Sequence, residues 1–532
     1  MKDIALKIAG TTCSLAVSQL RILQQINAVP VAHVELQVPV DNNDASDVQS
    51  QGLAGQIAVG SSVEITLDKV VLFSGYLVRK SVLMRGKQWT LRLDVRHLLQ
   101  KLTFYPCSRI FRQQDDSTMM HALLQDAGVK MNRKTTAQLS TRHDQMVQFR
   151  VSNWQFILSR LFATNCWLIP DVTSNGVTIA PLAQPAVASN KIERYADGSG
   201  YTLYDVELTF DNRFTPDTLS LQGWDIAQQQ LTTAQKSGTQ SFQPWKASAT
   251  AVASSGKQQD YQLAFSCLPD TMLSTLSQSW INHQQMTAVQ GRLLLEGTRD
   301  FQPGESITLS QFGAGLDGSA VLTGVNQQFN LAEGWRTELL LGMSGTLPEP
   351  VPSIQSLQIA TVADFTADPQ DLDRIPISLP ALNLPGEYIF ARLGKPWASK
   401  ASGFCFYPET GDEVVVGFIE NDPRYPVILD SLHNPKNTAP FSPDRKNNLK
   451  GLVVSKDDYT GQLMMNTEEK TVTLSAGKAS FSLTADKSMQ LNTPETMTFS
   501  ASAVSYQVSD TLSLSADSQM VLTSSSINMK QK

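Results

Sequence analysis

Residues 471–529 read TVTLSAGKASFSLTADKSMQLNTPETMTFSASAVSYQVSDTLSLSADSQMVLTSSSINM and repeat one pattern: two apolar residues, one residue apart, about every eight positions. The pairs are Val472/Leu474, Phe481/Leu483, Met489/Leu491, Met497/Phe499, Val504/Tyr506, Leu512/Leu514, Met520/Leu522 and Ile527/Met529. Both side chains of such a pair lie on one face of a β-strand. The intervening Ser, Thr, Ala and Asp suit strands and tight bends. The period therefore predicts a repeat architecture in which each unit is one short strand followed by a bend.

One chain of this kind would form a narrow solenoid with a thin core and open strand edges. Three chains wound about one axis would give each layer three apolar pairs and would pair every edge. We therefore predict that residues 471–529 form one third of an intertwined, trimeric β-helix, a stiff and narrow rod. The predicted trimer core contains Leu474, Leu483, Leu491, Phe499, Tyr506, Leu514 and Leu522. The alternative is a disordered Ser/Thr-rich tail, against which the constant phase of the apolar pairs argues.

The bulk composition limits the function classes. A chain of 532 residues is too long for one core, so three or four domains are expected. The net charge is −6 and Lys and Arg form no block, which argues against nucleic acid and anionic membranes as partners. The five cysteines are scattered without a CxxC pair, which fits synthesis in a reducing cytoplasm. The N-terminus lacks the pattern of a signal peptide, and no apolar run reaches the ~20 residues of a membrane span.

The first hundred residues predict strands joined by short turns, a barrel or sandwich pattern. These strands are Val31–Val40, Val63–Leu67, Val70–Val82 and Trp89–Val95. Two amphipathic helices are predicted next, near Asp115–Ala127 and Asn153–Thr164. The first is expected to begin at a cap region around Ser117 and to end at Gly128.

A strand-rich region is predicted from Ser199 to about Gly345, and it repeats a series from the first hundred residues. Each series reads as a Gly-led strand, a strand ending in Gly and a strand headed by Trp. The first copy is 60–67, 72–75 and 87–93, and the second is 304–309, 322–324 and 334–340. We interpret this as a duplicated barrel with the two helices inserted between the copies; chance similarity is the alternative. Three chains with two barrels each would make a ring of six quasi-equivalent units.

A proline-rich linker at 347–356 marks a boundary. Beyond it, five short strands fit a small OB-type barrel. They are Ile375–Leu379, Tyr388–Leu393, Gly403–Tyr407, Glu413–Ile419 and Pro426–Leu432. Residues 451–473 then alternate in a way that could lead into the rod.

The segment Phe406–Leu429, FYPETGDEVVVGFIENDPRYPVIL, with its continuation Ser431–Thr438, closely resembles the OB-fold segment of VgrG-family spike proteins. The helix segment Ser152–Leu161 and the turn Gly223–Asp225 also resemble parts of the hub in that family. Asp430 stands where the family pattern has glycine. No lysozyme domain is predicted between barrel and rod, and no effector domain after the rod. The segment and the compact length look most like the spike of extracellular injection particles of the antifeeding-prophage and virulence-cassette type.

The resemblance implies a mainly β fold with a few helices and a six-part chain. Its parts are hub barrel 1 (1–110), a helical and mixed insertion (111–198), hub barrel 2 (199–346), the linker (347–356), the OB domain (357–445) and the spike (446–532). It implies a non-enzymatic homotrimer, assembled in the bacterial cytoplasm, whose particle acts outside the cell.

The expected partners are inner-tube and baseplate proteins at the hub, with the target membrane met only during puncture. A PAAR-like tip protein is expected at Ile527, Asn528, Met529 and Lys530. The alternatives are a type VI secretion VgrG or a phage tail spike, a tail-associated wall-degrading enzyme, and a trimeric adhesin fibre.

Motifs that could carry chemistry are interpreted as structural, so no catalytic, cofactor or metal residue is predicted. The GxGxxG at Gly313–Gly318 continues into a strand and not a helix, which indicates a hairpin loop. The loop Asp41–Asp47 lacks the glycine and terminal acid of a calcium loop. The six histidines are dispersed and none lies in the predicted rod, and carboxylates such as Asp371 and Asp373 form no recognisable acid–base pair.

Overall fold

A computed structural model of the chain describes residues 3–38, 55, 57–85, 88–133, 137–183, 190–195, 200–211, 218–237, 260–265, 270–313, 316–343, 346 and 348–530. The chain divides into two units, Met1–Leu432 and His433–Lys532, and each is described by itself below. The loop Asp41–Asp47, which we interpreted as structural and not as a calcium loop, lies outside the described residues.

The first hundred residues form one antiparallel run of strands. Its members are β1 (Ile4–Ile8), β2 (Thr11–Thr12), β3 (Ala16–Gln25), β4 (Val31–Val38), β5 (Ser62–Leu67), β6 (Val70–Arg85) and β7 (Gln88–Arg96). Their spatial order is β2-β1-β5-β6-β7-β4-β3. Alternate residues such as Leu36, Ile65 and Leu91 are buried in one core, as the period-two pattern requires. The four strands predicted from the sequence are confirmed within a few residues at their ends.

The insertion that follows mixes strands and helices. Its elements are a 3₁₀ helix (Leu98–Thr103), β8 (Cys107–Asp115), α1 (Asp116–Asp126), β9 (Lys130–Arg133), a 3₁₀ helix (Ala137–Leu139), β10 (Arg142–Val151), α2 (Asn153–Ala163), β11 (Cys166–Asp171) and β12 (Gly176–Pro181). Both predicted helices are confirmed, and Gly128 has the expected positive φ of 78° just after α1. The predicted cap at Ser117 is wrong. Asp115 caps α1, because its carboxylate accepts a hydrogen bond from Thr118 N, whereas Ser117 is buried inside the helix.

The next region carries a helix that we did not predict. Its elements are β13 (Asn190–Glu193), β14 (Leu203–Phe210), β15 (Thr218–Asp225), β16 (Gln230–Ser237), β17 (Asp260–Phe265), α3 (Asp270–Gln285), β18 (Val289–Glu296), β19 (Ser306–Ser310), β20 (Gly318–Asn330) and β21 (Gly334–Leu341). The prediction of strands throughout this region is therefore wrong at α3. This helix packs its apolar side, with Leu273, Leu276 and Ile281, against Leu219 and Leu221 of the β15–β17 sheet.

Two sets of strands share the same neighbour order. The first is β1-β5-β6-β7-β4-β3 and the second is β13-β19-β20-β21-β18-β14. Pairing of β20 with β3 joins them into one sheet. One difference is that β1 is antiparallel to β5, whereas β13 is parallel to β19. The shared order is what a duplicated barrel would produce. Strand β19 is antiparallel to β20, and β20 begins at Gly318, so the GxGxxG stretch is followed by a strand and not by a helix, as predicted.

The last part of this unit is a closed barrel. It contains β22 (Gln358–Val362), β23 (Arg374–Ser378), a 3₁₀ helix (Pro380–Leu382), β24 (Ile389–Leu393), β25 (Ala398–Ser399), β26 (Ser402–Gly403), β27 (Glu413–Phe418), a 3₁₀ helix (Ile419–Asn421) and β28 (Pro426–Leu432). The barrel closes in the order β22-β23-β24-β28-β27. The predicted strand Gly403–Tyr407 is wrong, since regular pairing ends at Gly403 and residues 404–407 are exposed. The unpredicted β22 takes its place in the barrel.

The C-terminal unit contains an antiparallel meander of five strands. These are β29 (Leu449–Lys456), β30 (Tyr459–Asn466), β31 (Thr471–Ala476), β32 (Ala479–Thr484) and β33 (Ser488–Asn492). The one-strand-per-pair prediction holds for the pairs on β31, β32 and β33. In this single chain, residues 493–530, which carry the five later pairs, have no assigned strand, so strands at these pairs stay a prediction for the trimer. Without a neighbouring strand, that segment has no backbone partner to complete a ladder.

Candidate functional site: an uncovered apolar sheet face

The register of the C-terminal meander aligns apolar side chains in two rows on one face. The first row crosses all five strands as Leu452, Leu463, Leu474, Phe481 and Leu491. The second row is Met465, Val472, Leu483 and Met489, which are cross-strand partners in turn. Directly paired residues share a face of an antiparallel sheet. The register therefore builds a continuous apolar surface from residues that the sequence spaces only as pairs.

This apolar face is uncovered in the single chain. Leu474 is 56% exposed and Met489 is 67% exposed. A groove of about 740 Å³ lies over the first row and is bordered by Met497. The other face carries hydroxyls, such as Thr473 and Ser482, whose oxygens lie 3.2 Å apart. None of the described residues 433–530 is buried. A sheet that folds alone normally buries the apolar side chains of one face.

The structure brings together only part of the predicted trimer core. Leu474, Leu483 and Leu491 lie on the shared face described above. The other predicted core residues are exposed on the segment without assigned strands, and they are Phe499, Tyr506, Leu514 and Leu522. The predicted docking residues Ile527, Asn528, Met529 and Lys530 are also exposed, with Met529 at 90%.

A buried polar network, missed by the sequence analysis, organises the insertion. Arg160 on α2 donates from Nε to Asp116 Oδ1 at 2.5 Å, and His143 Nε2 lies 2.7 Å from Asp116 Oδ2. Burial alone would raise the pKa of Asp116, but Arg160 and His143 together lower it to about 2. Burial lowers the pKa of His143, against the opposite effect of Asp116. Arg160 also donates to Pro350 O at 3.1 Å, so this network holds the start of the linker.

Strand β10 of the insertion also holds the closed barrel. Gln145 Nε2 donates to Phe390 O at 3.1 Å and to Arg424 O at 2.9 Å, and its Oε1 accepts from Phe390 N at 2.8 Å. Beside it, Arg374 Nη2 donates to Asp144 Oδ2 at 2.8 Å. These contacts fix the barrel against the insertion within the first unit. No sequence signal marks Gln145, because an isolated glutamine in a strand is normally exposed.

Within the described ranges, no three His, Cys, Asp or Glu side chains are grouped as metal ligands would be. Asp373 is engaged structurally, since it accepts from Tyr407 Oη at 3.0 Å and from Lys395 Nζ at 3.3 Å. Among the helices of the described part, none combines the length and apolarity required to cross a membrane.

Comparison with known families finds two matches along the chain. The family described as the Alg8 N-terminal domain matches residues 2–330. The family described as the type VI secretion system/phage-baseplate injector OB domain matches residues 358–433, which include the closed barrel. The first match alone covers more than half of the chain.

Individual proteins are also similar to this chain. The actin cross-linking toxin VgrG1 of Vibrio cholerae is 29% identical over 141 residues, which are 24% of this chain and 12% of the toxin. The Francisella PdpA-VgrG complex contains a similar fold, with a TM-score of 0.58 at 10% identity, covering 92% of this chain and 80% of that chain.

A component of the E. coli type VI secretion system that is structurally similar to T4 bacteriophage tail proteins also matches. Its TM-score is 0.52 at 12% identity, covering 80% of this chain and 99% of that chain. The chain therefore belongs to the family of the Alg8 N-terminal domain, and it is similar to VgrG-family spike proteins.

Proposed function

We propose that this protein is the structural hub and spike of a contractile injection particle and that it acts as a homotrimer. The observation that carries the proposal is the C-terminal unit, where a five-stranded sheet exposes a continuous apolar face and none of the described residues is buried. Fully burying one Val, Leu, Phe or Met side chain stabilises a structure by roughly 1.5–3 kcal/mol. A face of nine such residues therefore favours association strongly.

Three copies would cover these faces by turning them toward one axis. Each apolar pair between Met497 and Met529 would then have strand neighbours from the other two chains, so the extended segment would complete its ladders. In this arrangement Leu474, Leu483, Leu491, Phe499, Tyr506, Leu514 and Leu522 form the core. Stiffness would come from interchain hydrogen bonds shared over many layers, which suits a part that is pushed through an envelope.

The first unit would serve as the hub. Its two strand sets with the same neighbour order support the duplicated-barrel interpretation, with proposed boundaries at 1–110, 111–198 and 199–346. A trimer would then present six similar barrels to a sixfold inner tube, with baseplate proteins around it. The proposed OB segment is 357–445 and the proposed spike is 446–532. A PAAR-like tip protein would bind at 527–530, where Ile527 and Met529 are exposed.

Assembly would take place in the bacterial cytoplasm, with the particle acting outside the cell. Among injection particles, we favour the extracellular antifeeding-prophage and virulence-cassette type. The actin cross-linking named for VgrG1 is a property of that toxin, whose matched region covers only 24% of this chain. We propose a structural and non-enzymatic role for this chain.

The mass of the purified full chain in solution tests the proposal. Native mass spectrometry should give about 175 kDa, three times the 58.3 kDa of one chain. The measurement should be repeated over a hundredfold range of protein concentration, because a trimer with a large apolar interface should persist on dilution. A monomer at all concentrations would remove the spike interpretation.

A further inference from the structure

The closed barrel carries an arm whose aromatic side chains are uncovered. The arm, residues 396–406, contains the short hairpin of β25 and β26, and all of it except Gly403 is exposed. Trp397 is 55% exposed, and Phe404 and Phe406 are also exposed, with ring centroids 6.3 Å apart. Exposed aromatic clusters of this kind mark interaction surfaces. An isolated hairpin with two residues per strand is not stable in water unless something packs on it.

The shape of the arm is nevertheless specific. Phe404 N donates to Trp397 O at 3.0 Å, and Ala401 has a positive φ of 52° at the hairpin turn. Gly403 has a φ of 145°, and a Cβ there would lie 2.6 Å from Trp397 O, so a side chain would break the pairing. The arm therefore has a defined shape that holds three aromatic residues and Lys400, near the turn, on the surface.

The same closed barrel carries a groove whose apolar and acidic lining is complementary to the arm. The groove is about 700 Å³, and its lining includes Phe365, Asp371, Asp373, Tyr407 and Glu409 together with the ion pair of Arg374 and Asp368. Phe365 is 80% exposed. The described ion pairs include Asp373 but neither Asp371 nor Glu409, so two carboxylates at this groove remain available to a cation. Apolar walls with free carboxylates suit a segment that brings aromatic residues and a positive charge.

We propose that the arm of one copy occupies this groove on a neighbouring copy, with Lys400 facing Asp371 and Glu409. This proposal rests on the trimer of the proposed function and adds a specific contact to it. Because the arm and the groove are both exposed in one chain, the arm does not fill its own groove. A contact between two different patches of identical subunits closes into a ring when the rotation between copies is fixed. The threefold axis of the spike would supply that rotation.

Cross-linking between differently tagged chains tests the contact. Both chains carry Cys405→Ser to remove the exposed native thiol, one carries Lys400→Cys, and the other carries Glu409→Cys. After co-expression, purified trimers are treated with a short bismaleimide. We expect a covalent product that contains both tags. Two controls define the background. In the first, the Lys400→Cys chain is paired with a chain that carries only Cys405→Ser. In the second, it is paired with a chain that carries Cys405→Ser and Ser431→Cys, because Ser431 is exposed and lies outside the groove.

The outcomes separate the two proposals. Trimers with a mixed product above both controls support the arm contact. Trimers that yield no mixed product overturn the arm contact and leave the spike intact. A monomeric chain overturns the proposed function together with the contact.

Charge exchange gives a second measurement on the full-length trimer. Lys400→Glu alone, or Glu409→Lys alone, should speed hydrogen exchange in residues 397–404 by about two- to fivefold, the range of one exposed ion pair. The double variant should return the rate toward that of the unchanged protein. If the effects of the two single variants add in the double variant, Lys400 and Glu409 do not interact.

Discussion

At the residue scale, the Asp116 carboxylate decides the stability of the insertion. Asp116 neutralises Arg160, which is fully buried, and it also binds His143. We expect Asp116→Asn to destabilise the protein by about 3–5 kcal/mol, because it leaves a buried guanidinium without its counter-charge. Tryptophan-detected urea unfolding measures this loss. Asp126→Asn is the matched control, since its exposed pair with Arg109 is worth about 1 kcal/mol at most. Equal losses for the two variants would contradict a special role for Asp116.

Three buried histidines predict how stability depends on pH. Burial lowers the pKa of His97 and His143, and it lowers the pKa of His283 to about 4. Because the folded state disfavours the charged imidazole, the unfolded chain binds protons first as pH falls below about 6.5. The contribution of these histidines to the free energy of unfolding is therefore fully present above pH 6.5, and it is lost as the pH falls from 6.5 to about 4. For His283 alone the loss is about 3 kcal/mol.

Urea unfolding at a series of pH values measures this dependence. His283→Gln should make the slope between pH 6.5 and 4 shallower, because it removes one of the three groups that take up protons on unfolding. A slope that is the same in His283→Gln and in the unchanged protein would contradict the assignment.

At the element scale, the apolar face of the C-terminal sheet predicts the effect of a single charge. Leu474 is the central residue of the first row, between Leu463 and Phe481. Leu474→Asp would place a carboxylate in the proposed trimer core, where its desolvation is costly. We expect the trimer mass to be lost while the tryptophan-detected unfolding midpoint is maintained.

Lys478→Asp is the control for Leu474→Asp. Lys478 lies in the exposed turn between β31 and β32, so its substitution introduces the same carboxylate away from the apolar face. This variant should remain trimeric by native mass spectrometry. A trimeric Leu474→Asp variant would show that this face is not the interface.

Only part of the secondary structure and of the contacts could be predicted from the sequence. Period-two apolar spacing was sufficient for the four strands predicted in the first hundred residues and for the apolar pairs on β31–β33. The helix α3 was missed although Leu273, Leu276 and Ile281 have helical spacing, because its many Ser, Gln and Asn residues resemble a loop. The cross-strand rows of the C-terminal face could not be predicted, since they depend on hairpin register. The same applies to the Asp116–Arg160 pair, whose members are 44 residues apart.

At the scale of the whole molecule, the two units differ in how they keep their apolar residues from water. Met1–Leu432 contains several buried cores within one chain, whereas the described residues 433–530 contain none. The hub should therefore fold within each chain, and the C-terminal unit should depend on association. All eight tryptophans precede residue 433, and seven of them lie outside the arm 396–406, so tryptophan fluorescence reports mainly on the folding of the first unit.

This difference predicts two responses to protein concentration. On a tenfold dilution close to the dissociation point of the trimer, amide protection in 459–492 should fall, because association stabilises only the folded C-terminal unit. The tryptophan-detected melting temperature should remain nearly constant over the same dilution. Hydrogen exchange with mass spectrometry and fluorescence melting measure the two quantities on the same samples. Protection in 459–492 that persists in a monomer would mean that the sheet holds itself together, and an equal shift in both signals would mean that the hub also folds only on association.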